Sequence, residues 1–147
     1  MLYMLDTDCV IYMVRGSKAR ARPGSRRDKA LALVDRCRRL QAQGDVISLS
    51  TITVSELEFG ARNSSKYEDE MAAVQKVLKP FVIFDYDGVS CPDHYGMIRH
   101  ELESAGVPIG AMDLLIAAHA RAISATLVTN NLAHFKRVSG LDAVNWT

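Results

Sequence analysis

Residues 109–120 run Ile109-Gly110-Ala111-Met112-Asp113-Leu114-Leu115-Ile116-Ala117-Ala118-His119-Ala120, an apolar helical stretch interrupted by a single carboxylate. At the start of the chain the short apolar run Leu2-Tyr3-Met4-Leu5 reads as a strand and ends on a second isolated acid, Asp6. An ionised carboxylate in apolar surroundings needs a partner, and buried charges are generally paired or bind a metal. A strand closing on one acid and a helix opening on another therefore suggest a fold that brings both to a cation.

Between these two stretches, short β-type runs alternate with longer helical patterns. Strands are expected at Leu2 to Leu5, Val46 to Leu49, Phe81 to Phe84, Thr126 to Val128 and Ala143 to Asn145. Helices are expected at about Asp28 to Gln43, Ile52 to Arg62, Tyr67 to Leu78, Pro92 to Ala105 and Ala111 to Ile123. Pro92 suits a first helical position, and Gly106 followed by Pro108 suits a helix stop. The alternation implies an α/β sandwich with a mainly parallel sheet. Ligands of such sheets bind beyond the carboxyl ends of the strands, where Asp6 and Thr129-Asn130-Asn131 would both emerge.

At 147 residues and 48% hydrophobic, the chain suits one domain with its own core. Its net charge of +1 conceals a basic segment, in which Arg15, Lys18, Arg20, Arg22, Arg26, Arg27, Lys29, Arg36, Arg38 and Arg39 are answered only by Asp28 and Asp35. Within it, residues 16–27 read as a basic mobile loop. The run Leu2 to Val14 is broken by Asp6 and Asp8, lacks a basic leader and is too short to span a bilayer, so the chain reads as cytosolic, with no membrane segment. Cys9, Cys37 and Cys91 lack metal-ligand spacing and argue against a zinc site or a disulfide framework.

In Ser50 to Arg62, Glu56 shares a stripe with Ile52, Phe59 and Gly60 and is expected to point inward. Glu58 stands four residues before Arg62, the spacing of a solvated pair. Gly60 would let a backbone or ligand approach closely. Each acid also has a plainer reading: Asp6 as a helix N-cap, Glu56 as a first-turn glutamate, Asp113 as a complement to the helix dipole. Asp8 reads as a cap or as support for a ligand. His119 reads as a packed core histidine rather than a general base, and His134, four residues after Asn130, has no stronger claim.

Taken in order, the pieces resemble the PIN-domain ribonucleases, specifically the VapC-type toxins of prokaryotic toxin–antitoxin modules. The resemblance is carried by Met4-Leu5-Asp6-Thr7-Asp8, by Ser55-Glu56-Leu57-Glu58-Phe59-Gly60-Ala61, by Gly106 to Ala120, by Leu127-Val128-Thr129-Asn130-Asn131, and by Phe135 to Val138 with Leu141 to Trp146. It implies a PIN-like three-layer sandwich in which Asp6, Glu56 and Asp113 bind Mg²⁺ or Mn²⁺. Two positions depart from the family pattern. Asn131 stands where a fourth acid is often found, which puts a second metal site in doubt, and Asp8 stands where many relatives carry Asn.

Oxygen ligands with open positions suit metal-assisted hydrolysis of an RNA phosphodiester. The acid that steers the attacking water is left open among Asp6, Glu56 and Asp113, with Asn131 at the same catalytic centre. Thr7 and Thr129 are expected to hydrogen-bond a ligand carboxylate or the scissile phosphate. Arg15 and the basic loop are expected to meet RNA phosphates. The family further implies a cognate antitoxin laid across the groove, a homodimer, and transfer RNA as a candidate target. Two alternatives stand beside this reading. One is a non-catalytic PIN domain that binds nucleic acid or antitoxin. The other is a haloacid-dehalogenase-like phosphatase built on Asp6-Thr7-Asp8, which would need Asp85 and Asp87 as its later acids.

Overall fold

The computed structural model describes residues 1–18 and 24–147. Strand β1 (Leu2–Leu5) leads through Asp6 into helix α1 (Thr7–Ser17), and α2 (Ser25–Ala42) returns the chain to β2 (Val46–Ser50). Helices α3 (Thr51–Arg62) and α4 (Tyr67–Leu78) precede β3 (Val82–Phe84). Helices α5 (Ser90–Ser104) and α6 (Ala111–Ala122) precede β4 (Thr126–Val128). The short α7 (Leu132–Phe135) precedes β5 (Ala143–Val144).

All four strand pairings are parallel, and the sheet order is β3-β2-β1-β4-β5. The chain builds outward from β1 to β2 and β3, then crosses back to place β4 on the other side of β1. That reversal makes the carboxyl ends of β1 and β4 the switch point at which open α/β sheets bind ligands. Leu5 pairs with Val128, and the Asp6 N–H donates to the Val128 carbonyl at 2.9 Å, so the first residue past β1 is registered against the last residues of β4.

Side-chain alternation along the strands divides the core into two layers. Leu5, Ile47, Leu49 and Val128 pack with Val10, Met13, Leu33, Val74 and Leu78 on the side of α1, α2 and α4. Met4 and Leu127 pack with Ile98, Leu102, Leu114, Ile116 and Phe135 on the side of α5, α6 and α7. The result is the expected three-layer α/β sandwich with a fully parallel sheet. No helix among the described residues is long and apolar enough to cross a membrane.

Several boundaries differ from the sequence expectation. Helix α1 was implied only by reading Asp6 as a cap, because its Asp8, Thr7 and Gly16 weaken the helical pattern; α7 is a single turn. Helix α2 starts at Ser25 rather than Asp28, and the Asp28 N–H bonds back to the Gly24 carbonyl at 2.9 Å. The expected loop over 16–27 therefore contracts, since Gly16 and Ser17 end α1 while Arg26 and Arg27 lie on α2. Arg20 and Arg22 lie outside the described residues. Pro92 falls in the third position of α5, and Gly106, at φ 74°, stops that helix as expected. Helices α1 and α2 cross so closely that a Cβ on Gly16 would overlap the Cβ of Ala30.

Candidate active site

Asp6 is 4% exposed and extended (φ −68°, ψ 154°), the conformation of an N-cap residue. Its Oδ1 accepts the Thr7 N–H at 2.8 Å, so the plainer capping reading holds as well. Its Oδ2 accepts the Thr129 hydroxyl at 2.9 Å, and Thr129 Oγ1 in turn accepts the Asn131 N–H at 2.9 Å. The carboxylate of β1 is thus clamped by the turn that leaves β4. Burial pushes the Asp6 carboxyl up from 3.8 to about 6; the Thr129 hydroxyl opposes the rise, and the negative charges of Asp113 and Asp8 reinforce it.

Glu56 reaches the same place from α3. Thr7 Oγ1 lies 2.7 Å from Glu56 Oε1 and 2.9 Å from Thr53 Oγ1. The single Thr7 hydroxyl proton goes to the carboxylate, which accepts only, so Thr53 must donate to Thr7. The stripe of α3 that enters the core is Thr53, Leu57 and Ala61, not the one expected from Ile52, Phe59 and Gly60. Phe59 is 71% exposed and a Cβ at Gly60 would meet open space, so Glu56 faces a groove instead of a packed interior. This groove, about 140 Å³, is floored by Ile11, Val14, Leu57 and Val74 and flanked by Arg15, Lys18 and Glu70. Lys18 pairs with Glu70 at 2.6 Å, which leaves Arg15, among the described residues, as the exposed cation lining the groove with Glu56. Glu58 accepts the Tyr67 hydroxyl at 2.8 Å while Arg62 lies over that ring, so its partner is Tyr67.

Asp113 sits in the first turn of α6, where the helix dipole favours its ionised form. It is half-buried, and burial raises its pKa; His134 opposes the rise and Asp8 adds to it. Exposed Asp8 thus acts on both acids as a nearby charge. His134, for which the sequence offered no claim, brings Nδ1 to 3.7 Å from Asp113 Oδ2 and 2.7 Å from the Asn131 amide nitrogen. The signal in the sequence was faint: an i, i+3 spacing from Asn131 across a one-turn helix.

His119 lies fully buried behind the site, as a core histidine should. Its Nδ1 is 2.7 Å from the hydroxyl of Ser50, which also accepts the Ile52 N–H at 3.0 Å to cap α3. Burial lowers its pKa and keeps it neutral. Asp87, a residue the phosphatase alternative requires, spends its carboxylate on the Val89 and Ser90 N–H groups and the Ser90 hydroxyl at the start of α5. Burial pushes the Cys9 thiol up to about 12, so it packs as a neutral donor to the Val128 carbonyl at 3.4 Å.

Asp6, Glu56 and Asp113 thus share one rim of the sheet. Their chemistry, hard carboxylate oxygens with Asp6 raised first by burial and then by the charges of Asp113 and Asp8, fits a divalent cation with open positions. Among the described residues, no three of His, Cys, Asp or Glu already converge on one point; Asp6 and Glu56 spend oxygens on Thr7 and Thr129.

A family model described as PIN domain matches residues 3–141. The chain is 37% identical over 146 residues to Ribonuclease VapC2 of Rickettsia felis, an alignment covering 99% of this chain and 98% of that protein. It is 31% identical over 145 residues to the tRNA(fMet)-specific endonuclease VapC of Shigella flexneri, covering 99% and 98% of the two. Among solved structures, VapBC2 from Rickettsia felis bound to a DNA fragment from their promoter superposes with a TM-score of 0.86 at 35% identity, over 100% of both chains.

Proposed function

The chain belongs to the PIN domain family, and on that premise we propose that it is the toxin of a toxin–antitoxin pair: a divalent-metal-dependent endoribonuclease, restrained by a cognate antitoxin. The observation that supports this reading is the placement of Asp6 at the switch point between β1 and β4, tied to the β4 turn through Thr129 and to Glu56 through Thr7, and near enough to Asp113 to feel its charge.

Asp6, Asp113 and Glu56 would hold the ion. Bound Mg²⁺ or Mn²⁺ supplies a water of lowered pKa and neutralises charge on the phosphate. Thr129 and the Thr7 N–H fix both Asp6 oxygens, so the carboxylate presents its remaining lone pairs in one orientation. Thr7 fixes Glu56, the longest side chain of the three acids, against the N-terminus of α1. Glu56 is the acid best placed to orient a water, because it borders the open groove while Asp6 is enclosed. Arg15, on the same wall, meets an RNA phosphate on approach. Arg26 and Lys29, exposed on α2, extend that positive surface. Transfer RNA is the proposed substrate class, in line with the Shigella relative's name.

The apolar floor of the groove, with Arg15 at its rim, suits an antitoxin segment carrying apolar side chains and an acidic group. Cleavage of a labelled total-RNA pool with Mg²⁺, with Mn²⁺ and with EDTA tests the proposal. Discrete fragments that require metal and vanish in Asp113→Asn are expected. A folded wild type, freed of any copurifying partner, that leaves the pool intact would overturn it and favour the non-catalytic binding alternative.

A further inference from the structure

At the open side of the site, His134 joins two residues that the sequence reading already placed there, Asp113 and Asn131. Asp113 Oδ2 and His134 Nδ1 stand 3.7 Å apart, and the Asn131 side-chain amide reaches the same imidazole nitrogen at 2.7 Å. Asp113 retains 30% of its side-chain exposure and His134 retains 43%, so this face is open to solvent and ligand. The backbone of Asn131 is anchored through Thr129 to Asp6, which fixes the group relative to the buried acid.

We infer that the His134 imidazole is a nitrogen ligand to the bound cation, and that Asp113, Asn131 and His134 form a mixed oxygen–nitrogen face selecting Mn²⁺ over Mg²⁺. This rests on the ribonuclease reading and adds to it a ligand and a metal preference. Atoms bonded to one ion at about 2.1–2.2 Å stand roughly 3–4 Å apart unless they lie opposite each other; the 3.7 Å between Asp113 Oδ2 and His134 Nδ1 falls in that range, while the 2.7 Å between His134 and the Asn131 amide is a hydrogen bond that opens to admit the ion. Rotation of the Asn131 amide exchanges its nitrogen and oxygen and turns an oxygen donor to the same point. Mg²⁺ favours an all-oxygen shell, whereas imidazole is a better donor to first-row transition ions.

The test is pulsed electron paramagnetic resonance of the full chain loaded with Mn²⁺, with and without histidine-selective ¹⁵N labelling. Calorimetry of Mn²⁺ and Mg²⁺ binding runs beside it for the wild type, His134→Ala and His134→Glu. A directly coordinated ¹⁴N signal that changes on labelling and disappears in His134→Ala is expected. The preference for Mn²⁺ should fall about tenfold in His134→Ala, in the range of a lost metal contact, and His134→Glu should shift the preference toward Mg²⁺. Bound Mn²⁺ without histidine nitrogen coupling, or coupling that persists in His134→Ala, overturns the inference and leaves the ribonuclease reading standing. A folded wild type that binds neither ion overturns both.

Discussion

Thr7 Oγ1 donates to Glu56 Oε1 at 2.7 Å and accepts from Thr53 at 2.9 Å, joining the residue after Asp6 on α1 to the acid on α3. One residue therefore couples two of the three proposed ligands, through its N–H to Asp6 and its hydroxyl to Glu56. Thr7→Val keeps the shape, strands the Thr53 hydroxyl and frees Glu56. Cleavage should fall 10- to 100-fold, the usual cost of losing a group that orients a ligand. Stability should fall by about 1–2 kcal/mol for the unpaired buried hydroxyl. Thr7→Ser should recover most of both. Steady-state cleavage and urea unfolding of the two variants check the claim, and equal activities in Val and Ser would refute it.

Asp6 makes the metal-free protein less stable as pH rises. Its folded pKa of about 6 lies above the ordinary 3.8, so the native state binds the extra proton between those values. Below 3.8 both states are protonated and Asp6 contributes nothing; through 3.8 to 6 stability falls, and above 6 the full penalty, about 3 kcal/mol at 1.36 kcal/mol per unit, is present. His119 has the opposite slope, since its lowered pKa costs stability as pH drops below 6.5. Asp6→Asn retains a capping oxygen for the Thr7 N–H and removes the charge. It should raise metal-free stability at pH 7 by on the order of 1–2 kcal/mol after loss of the Thr129 bond, flatten the decline between pH 4 and 6, and abolish cleavage. Denaturant midpoints across pH for the two proteins measure it.

The strands and most helices were legible because their apolar periods are undiluted: Leu2–Leu5, Tyr67–Leu78 and Thr126–Val128 fall where the pattern put them. Asp6 and Asp113 stood out for the opposite reason, as charges set into such runs. What the sequence hid is tertiary. Ile52, Glu56, Phe59 and Gly60 form a stripe at helical spacing, yet Phe59 faces solvent because α4 and α1 cover the other side of α3, at Leu57 and Ala61. His134 enters the site only because β4 lies beside β1 and a one-turn helix folds it back toward α6, a relation no local period records.

Gly16 sets how closely α1 and α2 approach. Gly to Ala within an exposed helix ordinarily stabilises by up to about 1 kcal/mol, but here the new Cβ would overlap Ala30. Gly16→Ala should instead destabilise by about 1–3 kcal/mol, the cost of overpacking, and Ala30→Gly should restore most of that in the double variant. Cleavage per folded molecule should stay unchanged, because both residues lie away from the acids. Thermal melts of the three variants decide the sign.

Metal binding should appear as stability before any RNA is added. A cation held by Asp6, Glu56 and Asp113 binds only the folded chain, so free ion at 100 times its dissociation constant adds about 2.7 kcal/mol, a rise in Tm of roughly 5–10 °C for a domain of this size. Because the Asp6 carboxyl must give up its proton to ligate, the gain should shrink as pH falls through about 6. Asp113→Asn should lose most of the gain while melting near the wild type in EDTA, since Asp113 is only half-buried and its ion pair with His134, at 3.7 Å and partly exposed, contributes little. Melts with EDTA, Mg²⁺ and Mn²⁺ at pH 5.5 and 7.5 make the comparison. An equal rise in wild type and Asp113→Asn would place the ion elsewhere on the chain.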